Sequence, residues 1–234
     1  PCPTTTTTTT TATAPNFDIT ADWTLTTPNV VDEITFRQFL ESGQDNDGNN
    51  NFLTDVVISD FTFTDLGNGY QRITCNLDAT GDTFYLAYMD IIDMQGIGDI
   101  FDLFFLYLYG NLLTEFDIAL PSSLAYLDLN SNQITFDPTI PLPSSLQTLS
   151  LSDNQIVTFN PTLPLPSSLQ QLALDYNQIV TFNPTTPLPS SLQQLGLSGN
   201  QIVTFNPTLP LPNSLIGLYL QFNQIVTFNP TVAL

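Results

Sequence analysis

The chain has 234 residues, 42% of them hydrophobic, which is enough to bury a sizeable core. It carries 22 acidic residues and only two basic ones, both arginines, for a net charge of −20. This balance argues against nucleic acid and anionic membranes as partners, because both are bound through lysine and arginine. The chain has no histidine or lysine, so it lacks a histidine base, a histidine-ligated metal and a Schiff-base amine. No metal or cofactor is expected, and carboxylate-only catalysis is the enzyme class that remains.

Residues 1–15 predict a linker or stalk. Eight consecutive threonines followed by an Ala-Thr-Ala-Pro segment have nothing to bury, so they cannot offset the entropy of folding. Because the chain begins with Pro1 rather than Met, we expect a processed product or a fragment. The stalk is a candidate for O-glycosylation, and a tail without a role is the alternative. The candidate threonines are Thr4, Thr5, Thr6, Thr7, Thr8, Thr9, Thr10 and Thr11.

Residues 16–81 predict a small mixed α+β domain. A helix is expected over 30–42, where apolar residues recur at helical spacing after acidic residues in the first turn. The polar loop 43–51 lacks both principal acids of a calcium loop, so we interpret it as a loop only. A Gly-Asn-Gly turn at 67–69 favours a hairpin. Strand-like runs occur at 56–58, 61–63 and 73–77.

The two cysteines, Cys2 and Cys75, have neither metal-ligand nor redox spacing. A disulfide between them would tie the N-terminus to the first domain and would indicate an oxidising compartment. Two unpaired thiols are the alternative.

Residues 82–234 form an internal repeat. The unit reads Pro-Ser-Ser-Leu-x-x-Leu-x-Leu-x-x-Asn-Gln-Ile-Val-Thr-Phe-Asn-Pro-Thr-x-Pro-Leu. A looser copy runs from Leu103 to Asn111, and an eroded one starts at Phe84 with Met89 in place of asparagine. We therefore count about seven copies. The asparagines are Asn111, Asn132, Asn154, Asn177, Asn200 and Asn223, at spacings of 21 to 23 residues.

The unit resembles the leucine-rich-repeat family, whose hallmark is L-x-x-L-x-L-x-x-N, and its Leu-Pro-Ser-Ser-Leu segment is similar to short bacterial-type repeats. The resemblance implies an α/β-type but mostly β horseshoe solenoid of about seven coils, with a parallel sheet on the concave side. Proline and asparagine in Phe-Asn-Pro-Thr exclude a helix on the convex side, which should be extended or polyproline-like. The domain at 16–81 is then expected to cap the N-terminal end of the solenoid.

Strand geometry and polarity predict the interior of each coil. Alternate residues of Leu172-Ala173-Leu174 should point inward and outward in turn. The repeated asparagine can hydrogen-bond backbone groups inside the turn, which would otherwise have no partner. Two apolar columns are expected on the far side of the core. They are Ile134, Ile156, Ile179, Ile202 and Ile225, and Phe136, Phe159, Phe182, Phe205 and Phe228.

The copies differ mainly at the outward positions of the strand. The family resemblance implies that these positions line the concave face and bind a ligand. Exposed tyrosines beside Asp, Asn and Gln suit a glycan or a protein partner, and neutral drift is the alternative. The candidate ligand-binding residues are Tyr107, Tyr109, Asp128, Asn130, Ser150, Ser152, Asp153, Asp175, Tyr176, Tyr219, Gln221 and Phe222, and the same positions also hold Ala173, Gly196, Ser198 and Gly199.

The same face carries the acids that carboxylate catalysis would need. Asp128, Asp153 and Asp175 lie on neighbouring coils, where pairs could approach glycosidase distances. Their predicted neighbours are small and the sheet is open, so little is expected to desolvate an acid and raise its pKa. The chain is therefore predicted not to be an enzyme.

Two functions remain. The first is a recognition or adhesion module on the outside of a cell or virion, tethered by the stalk and binding a glycan or protein; a threonine run before such repeats resembles tailed-phage appendage proteins and bacterial surface adhesins. The second is a structural subunit of a filament or shell, because a solenoid needs polar ends and this chain stops soon after Phe228. No membrane insertion is expected, since no window reaches the ~18 uncharged apolar residues of a span.

Overall fold

A computed structural model describes most of the repeat region and parts of the N-terminal half. The predicted stalk, the helix at 30–42, the strand at 56–58, Cys2 and Phe136 lie outside the described residues. Those described are 16–22, 61–67, 70–76, 83–85, 87, 91–95, 103–115, 119–135, 141–161 and 163–228.

The repeat region forms a parallel-strand solenoid. One short strand per coil joins a seven-stranded parallel sheet, and the strands follow one another in chain order. Their central residues pair in register, as in Leu149 with Leu172 and Leu172 with Leu195. The count of seven complete coils stays a prediction, because the chain between the first two strands is only partly described. The strands are β4 (Thr83–Tyr85), β6 (Phe105–Tyr107), β7 (Tyr126–Asp128), β8 (Thr148–Ser150), β9 (Gln171–Ala173), β10 (Gln194–Gly196) and β12 (Gly217–Tyr219).

In successive coils, a β-turn and a serine hydrogen bond to the preceding coil come just before the strand. In the Pro-Ser-Ser-Leu segment at 166–169, the amide of Leu169 donates to the carbonyl of Pro166 at 3.1 Å, which closes a β-turn. The second serine, Ser168, donates its hydroxyl to the carbonyl of Leu146 in the preceding coil at 2.6 Å. Equivalent serine bonds join the other coils, so the Pro-Ser-Ser-Leu segment sets both the direction of the strand and its distance from the coil before.

The core is a set of apolar columns that run along the solenoid. The inward leucines of strands β6 to β10 and the predicted isoleucine column from Ile134 to Ile202 are buried, whereas Leu218 of β12 is only partly buried. Three buried phenylalanines, Phe159, Phe182 and Phe205, stack with ring centroids 6.1 Å apart and ring planes within 10° of parallel. Burying one such side chain contributes about 2–3 kcal/mol, so each coil is stabilised mainly by the coils on either side of it.

The convex side is extended, as predicted, and it carries a second, narrower parallel ladder. Strands β11 (Thr204–Phe205) and β13 (Thr227–Phe228) pair in register, and isolated bridges join Thr158 to Thr181 and Thr181 to Thr204. Every regular element in the described residues is a strand. The mostly β solenoid is therefore confirmed, with no helix among the described residues.

A second sheet takes three strands from before the solenoid and one from between the first two solenoid strands. Its four strands pair antiparallel in the order β2–β3–β1–β5, and β2 and β3 flank the predicted Gly-Asn-Gly turn as a hairpin. Its last strand lies beyond the predicted boundary at residue 81, and the first residue of that strand, Ile91, is buried in the core of the solenoid. A capping role for this sheet stays a prediction. The strands are β1 (Asn16–Asp22), β2 (Phe61–Gly67), β3 (Tyr70–Asn76) and β5 (Ile91–Gln95).

Candidate functional site

The candidate site is the outer side of the seven-stranded sheet, which we call the concave face. Because side chains alternate along a strand, the residues on either side of the buried central leucine point away from the core. The predicted Tyr107, Asp128, Ser150 and Tyr219 occupy the position after this leucine. The predicted Tyr109, Asn130, Ser152, Asp175 and Gln221 lie two residues further along, just beyond the strand ends.

The position before the central leucine was missed in the sequence. It also belongs to the concave face, because it alternates with the leucine in the same strand. The signal was available, since this position varies among otherwise similar copies. Its occupants are Phe105, Tyr126, Thr148, Gln171, Gln194 and Gly217.

Asp153, Tyr176 and Phe222 were predicted as outward strand residues, but the structure places them in the turn after the strand. Their φ angles are 56°, 54° and 56°, in the left-handed region. The equivalent residue is a glycine in two other coils, because only glycine adopts this conformation without strain. Tyr176 and Phe222 are 59% and 80% exposed, so they form the rim of the concave face.

An aromatic cluster covers the part of the concave face nearest the N-terminus. The ring of Tyr126 lies 5.0 Å from that of Tyr107 and 6.1 Å from that of Phe105, centroid to centroid. Asp128 lies beside these rings and is 8% exposed. Its Oδ1 accepts a hydrogen bond from the amide of Asn130 at 3.0 Å, and its carboxylate also bonds the Tyr126 hydroxyl.

The expectation that no acid on this face is desolvated is wrong for Asp128. Burial raises the pKa of this carboxyl above its usual value, although the hydrogen bonds from Asn130 and Tyr126 oppose the shift. Burial together with the nearby charge of Asp128 raises the pKa of Tyr126 to about 12. The prediction failed because the neighbouring position, held by Tyr126, had been left out of the face.

A shallow hollow occupies the middle of the concave face. Its floor is made by the small residues Ser150, Ala173 and Gly196 on three successive strands. Asp175 and Tyr219 also line it, and Tyr219 is 44% exposed. The hollow reaches from Ser150 on β8 to Tyr219 on β12, about 14 Å at ~4.8 Å per strand, so it is long enough for a few residues of an extended chain.

The differences between neighbouring coils are complementary in shape. Oδ2 of Asp175 occupies the place where a Cβ of residue 196 would stand, and residue 196 is glycine. The ring of Tyr176 likewise lies over Gly199, where an added Cβ would be 2.6 Å from the ring atom Cδ1. In this pair of coils, Asp175 and Tyr176 therefore each lie over a glycine of the next coil.

The predicted asparagine ladder is present in the described coils, and it joins neighbouring coils. The side-chain amide of Asn177 donates to the carbonyl of Leu151 in the preceding coil at 2.9 Å and to that of Leu174 in its own coil at 3.2 Å. Its Oδ1 accepts the amide of Ile156 at 3.0 Å. The same three bonds recur at Asn132, Asn154, Asn200 and Asn223. Asn111 accepts the amide of Ile91 and donates to the carbonyl of Leu108 in its own coil.

The threonines of the predicted stalk lie outside the described residues. Of the two cysteines, Cys75 lies on β3 and Cys2 is outside the described residues, so the disulfide stays a prediction. Within the described part of the chain, no group of His, Cys, Asp or Glu side chains is arranged to hold a metal ion. No helix in that part has the length and apolar character to cross a membrane.

Comparison with known proteins gives one family match and fifteen similar solved chains, two of which are described below. Residues 144–202 match the model of the family described as leucine rich repeat, and no curated protein matches the sequence. YopM from Yersinia enterocolitica WA-314 is 29% identical over 52% of this chain and 29% of its own, with a TM-score of 0.40. A leucine-rich-repeat protein of Leptospira interrogans is 26% identical over 57% of this chain and 41% of its own, with a TM-score of 0.35. The matched part spans less than half the length of either protein.

The family model and the geometry of the coils agree. The central leucines pair across parallel strands, and the asparagine that ends the hallmark pattern bonds the backbone of the preceding coil. Proteins of this kind commonly mediate protein–protein interaction, and they are typically binding scaffolds without enzyme activity. The repeat region of this chain is a leucine-rich-repeat solenoid.

Proposed function

We propose that the chain is a recognition module that binds a partner protein through the concave face. The observation that carries the proposal is the distribution of differences among the coils. The buried leucines, asparagines and phenylalanines repeat, whereas the concave positions change from tyrosine to acid to small residues and create the hollow. A surface that served only to cover the core would have no reason to vary on this side and to repeat on the other.

The proposal includes a place outside the cell, on a cell or virion surface, as an adhesion or appendage protein. Its support is the threonine run at 1–15, which suits an extended tether. A glycan is the other class of ligand, because tyrosines with Asp, Asn and Gln also suit sugars. A screen with both classes separates them.

The experiment is a binding screen of the full chain against protein and glycan arrays. We expect saturable binding to at least one protein, reduced about tenfold or more when Tyr107 and Tyr219 are both changed to alanine, because aromatic side chains dominate interface energies. The matched control is Val180→Ala with Val203→Ala, which removes two exposed apolar side chains from the convex side. A saturable signal on glycans alone, or equal loss in both variants, would contradict the proposal.

Self-assembly is a second candidate function, favoured by the last described coil. Its strand β12 pairs with β10 on one side only among the described residues. Ile216, Phe222 and Val226 in this coil are 80%, 80% and 81% exposed. An apolar surface beside an unpaired strand edge favours pairing with another chain.

Light scattering across a range of concentrations tests self-assembly. If the second candidate holds, the mass rises with concentration above 25.8 kDa, and Ile216→Glu returns it to that of a monomer. Gln201→Glu, at an exposed position in the coil before, is the control for added charge. A constant monomer mass removes this candidate and leaves the recognition proposal.

A further inference from the structure

The hollow contains a carboxylate oxygen without a partner. Oδ1 of Asp175 accepts the amide of Ser198 at 2.8 Å, which fixes the carboxylate over Gly196. Oδ2 has no hydrogen-bonding partner among the described residues. Asp175 is half-buried and lines the hollow, so a ligand in the hollow can approach its carboxylate.

No basic side chain of the solenoid can neutralise this carboxylate. The sequence from residue 73 to residue 234 contains no lysine, arginine or histidine, and the whole chain has a net charge of −20. The remaining lining near Asp175 is uncharged, namely Ser150, Ala173, Gln194 and Tyr219. A partner with acidic groups is therefore repelled, and a basic one is attracted over several ångströms.

The aromatic wall of the hollow favours the same kind of ligand. Tyr219 lines the hollow with Asp175, and its ring lies against Gly217, where an added Cβ would be 3.0 Å from Cε2. A cation that bonds the carboxylate can also contact the face of a tyrosine ring. Because Asp175 and Tyr219 line the same hollow, one side chain that enters it can reach both groups.

From these contacts we infer that the hollow receives one lysine or arginine side chain of the partner protein, held by Oδ2 of Asp175 and by Tyr219. The inference rests on the proposed function, since it names the chemistry of the partner that the concave face binds. In this inference Asp175 contacts the ligand. Asp153, the exposed acid of the neighbouring coil, lies on the rim and does not contact it.

The test is a nuclear magnetic resonance titration of the full chain, labelled with ¹⁵N, using short peptides that differ at one residue. The probes are acetyl-Gly-Ser-X-Ser-Gly-amide with arginine, lysine, norleucine or glutamate at X. Because Ser198 donates to Asp175, the amide signals of Ser198 and Gly196 report on the hollow. We expect saturable shifts with the arginine and lysine peptides, weakened by added salt, and binding about tenfold weaker or absent with the other two.

Two matched variants separate the roles of the acids. Asp175→Asn keeps an acceptor for the Ser198 amide but removes the charge, and it should weaken the arginine peptide about tenfold. Asp153→Asn makes the same charge change one coil away and should leave binding unchanged. Tyr219→Leu should weaken it about two- to fivefold.

Equal binding of the norleucine peptide, equal effects of the two asparagine variants, or no shift with any peptide would overturn the inference. In each case the recognition proposal would still be judged separately by the array screen and its Tyr107 and Tyr219 variants. Loss of array binding in those variants, with no preference for basic peptides, would keep the concave face as the binding face and reject the cation site alone.

Discussion

At the scale of the residue, the ladder asparagines show how a buried polar group can stabilise a solenoid. Asn177 is 6% exposed, and both its donor and its acceptor atoms are satisfied. Because two of its bonds go to the preceding coil, the residue acts as a cross-link between coils as well as a turn former. If the side-chain amide were removed, the buried backbone groups that it bonds would be left unsatisfied, each at a cost of about 1–3 kcal/mol.

Asn177→Ala should therefore lower the free energy of unfolding by about 3 kcal/mol or more. Asn183→Ala is the control, because Asn183 is exposed and its bond to the amide of Thr208 can be replaced by water; we expect a loss of about 1 kcal/mol or less. Urea denaturation followed by circular dichroism measures both. Equal losses would mean that the buried bonds do not hold the coils together.

Asp128 leads to a prediction about pH. Its pKa in the folded chain is raised above that of the unfolded chain, so the folded state binds the proton more tightly and the charged form is destabilising. The stability that the protonated Asp128 contributes is fully present below the pKa of the unfolded chain. It is lost as the pH rises through the pKa of the folded chain.

Asp128→Asn removes the charge and keeps an acceptor for Asn130. We expect this variant to be more stable than the wild type at pH 7, and the difference should vanish below about pH 3, where the wild-type acid is protonated in both states. Thermal unfolding at a series of pH values measures the difference. A variant that is less stable at pH 7 would show that the charge of Asp128 is stabilised by its surroundings.

At the scale of the element, the coil that contains β9 fits the coil that contains β10 by pairing large side chains with glycines. Gly199 has a φ of 67° and lies under the ring of Tyr176. An alanine there meets two separate obstacles, the left-handed backbone and the ring. The first belongs to one residue, whereas the second belongs to the pair and disappears if the ring is removed.

Gly199→Ala should lower the free energy of unfolding by about 1–2 kcal/mol for the backbone alone, with a further loss from contact with Tyr176. In a double-mutant cycle with Tyr176→Ala we expect a coupling energy of about 0.5 kcal/mol or more. Gln201→Ala is the control and should change stability by less than about 0.5 kcal/mol. Additive effects would mean that the two coils do not pack through this pair.

The strands, the asparagine ladder and the extended convex segments could be predicted because each depends on a pattern within one coil. The backbone bridges that join Thr158, Thr181 and Thr204 could not be predicted. Proline excludes a helix there, but it does not determine which residues pair between coils. The burial of Asp128 was missed for a related reason. It depends on Tyr126, which is two residues away and whose position in the pattern had not been counted as outward.

At the scale of the whole molecule, the solenoid is a stack in which each coil contacts its neighbours, so stability is approximately a sum over coils and the interfaces between them. The three copies around 144–212 are nearly identical in their core and convex segments and repeat every 23 residues. Removing one whole period therefore joins surfaces that already fit. Removing part of a period does not, because it shifts the leucines out of the core.

Deletion of residues 167–189 should leave a folded solenoid with one strand fewer, at a cost of the order of 1–2 kcal/mol. Deletion of 167–178, about half a period, should unfold the neighbouring coils. Circular dichroism and thermal melting distinguish the two, and similar melting curves would contradict the stacking scheme. Because the whole-period deletion also removes Ala173 and Asp175, it should abolish binding to the partner found in the screen.

The organisation of the whole chain was predictable where the repeat is clear and less so before it. The copies fix where each strand of the solenoid lies, but no repeat marks where the first domain ends. Strand β5 pairs with β1 although it follows the predicted boundary, and its Ile91 occupies the place that an isoleucine or leucine takes in later coils. A single residue thus belongs to the antiparallel sheet and to the core of the solenoid, which a boundary drawn from composition does not anticipate.

The central claim is that the concave face is the binding face. The most direct measurement compares two variants of one coil against the protein partner with the strongest saturable signal in the screen, using surface plasmon resonance. Ala173→Trp fills the hollow on the concave side, and Thr181→Trp adds the same side chain on the convex side. We predict that Ala173→Trp abolishes binding and that Thr181→Trp leaves the dissociation constant unchanged. Unchanged binding by Ala173→Trp, with both variants folded by circular dichroism, would contradict the account.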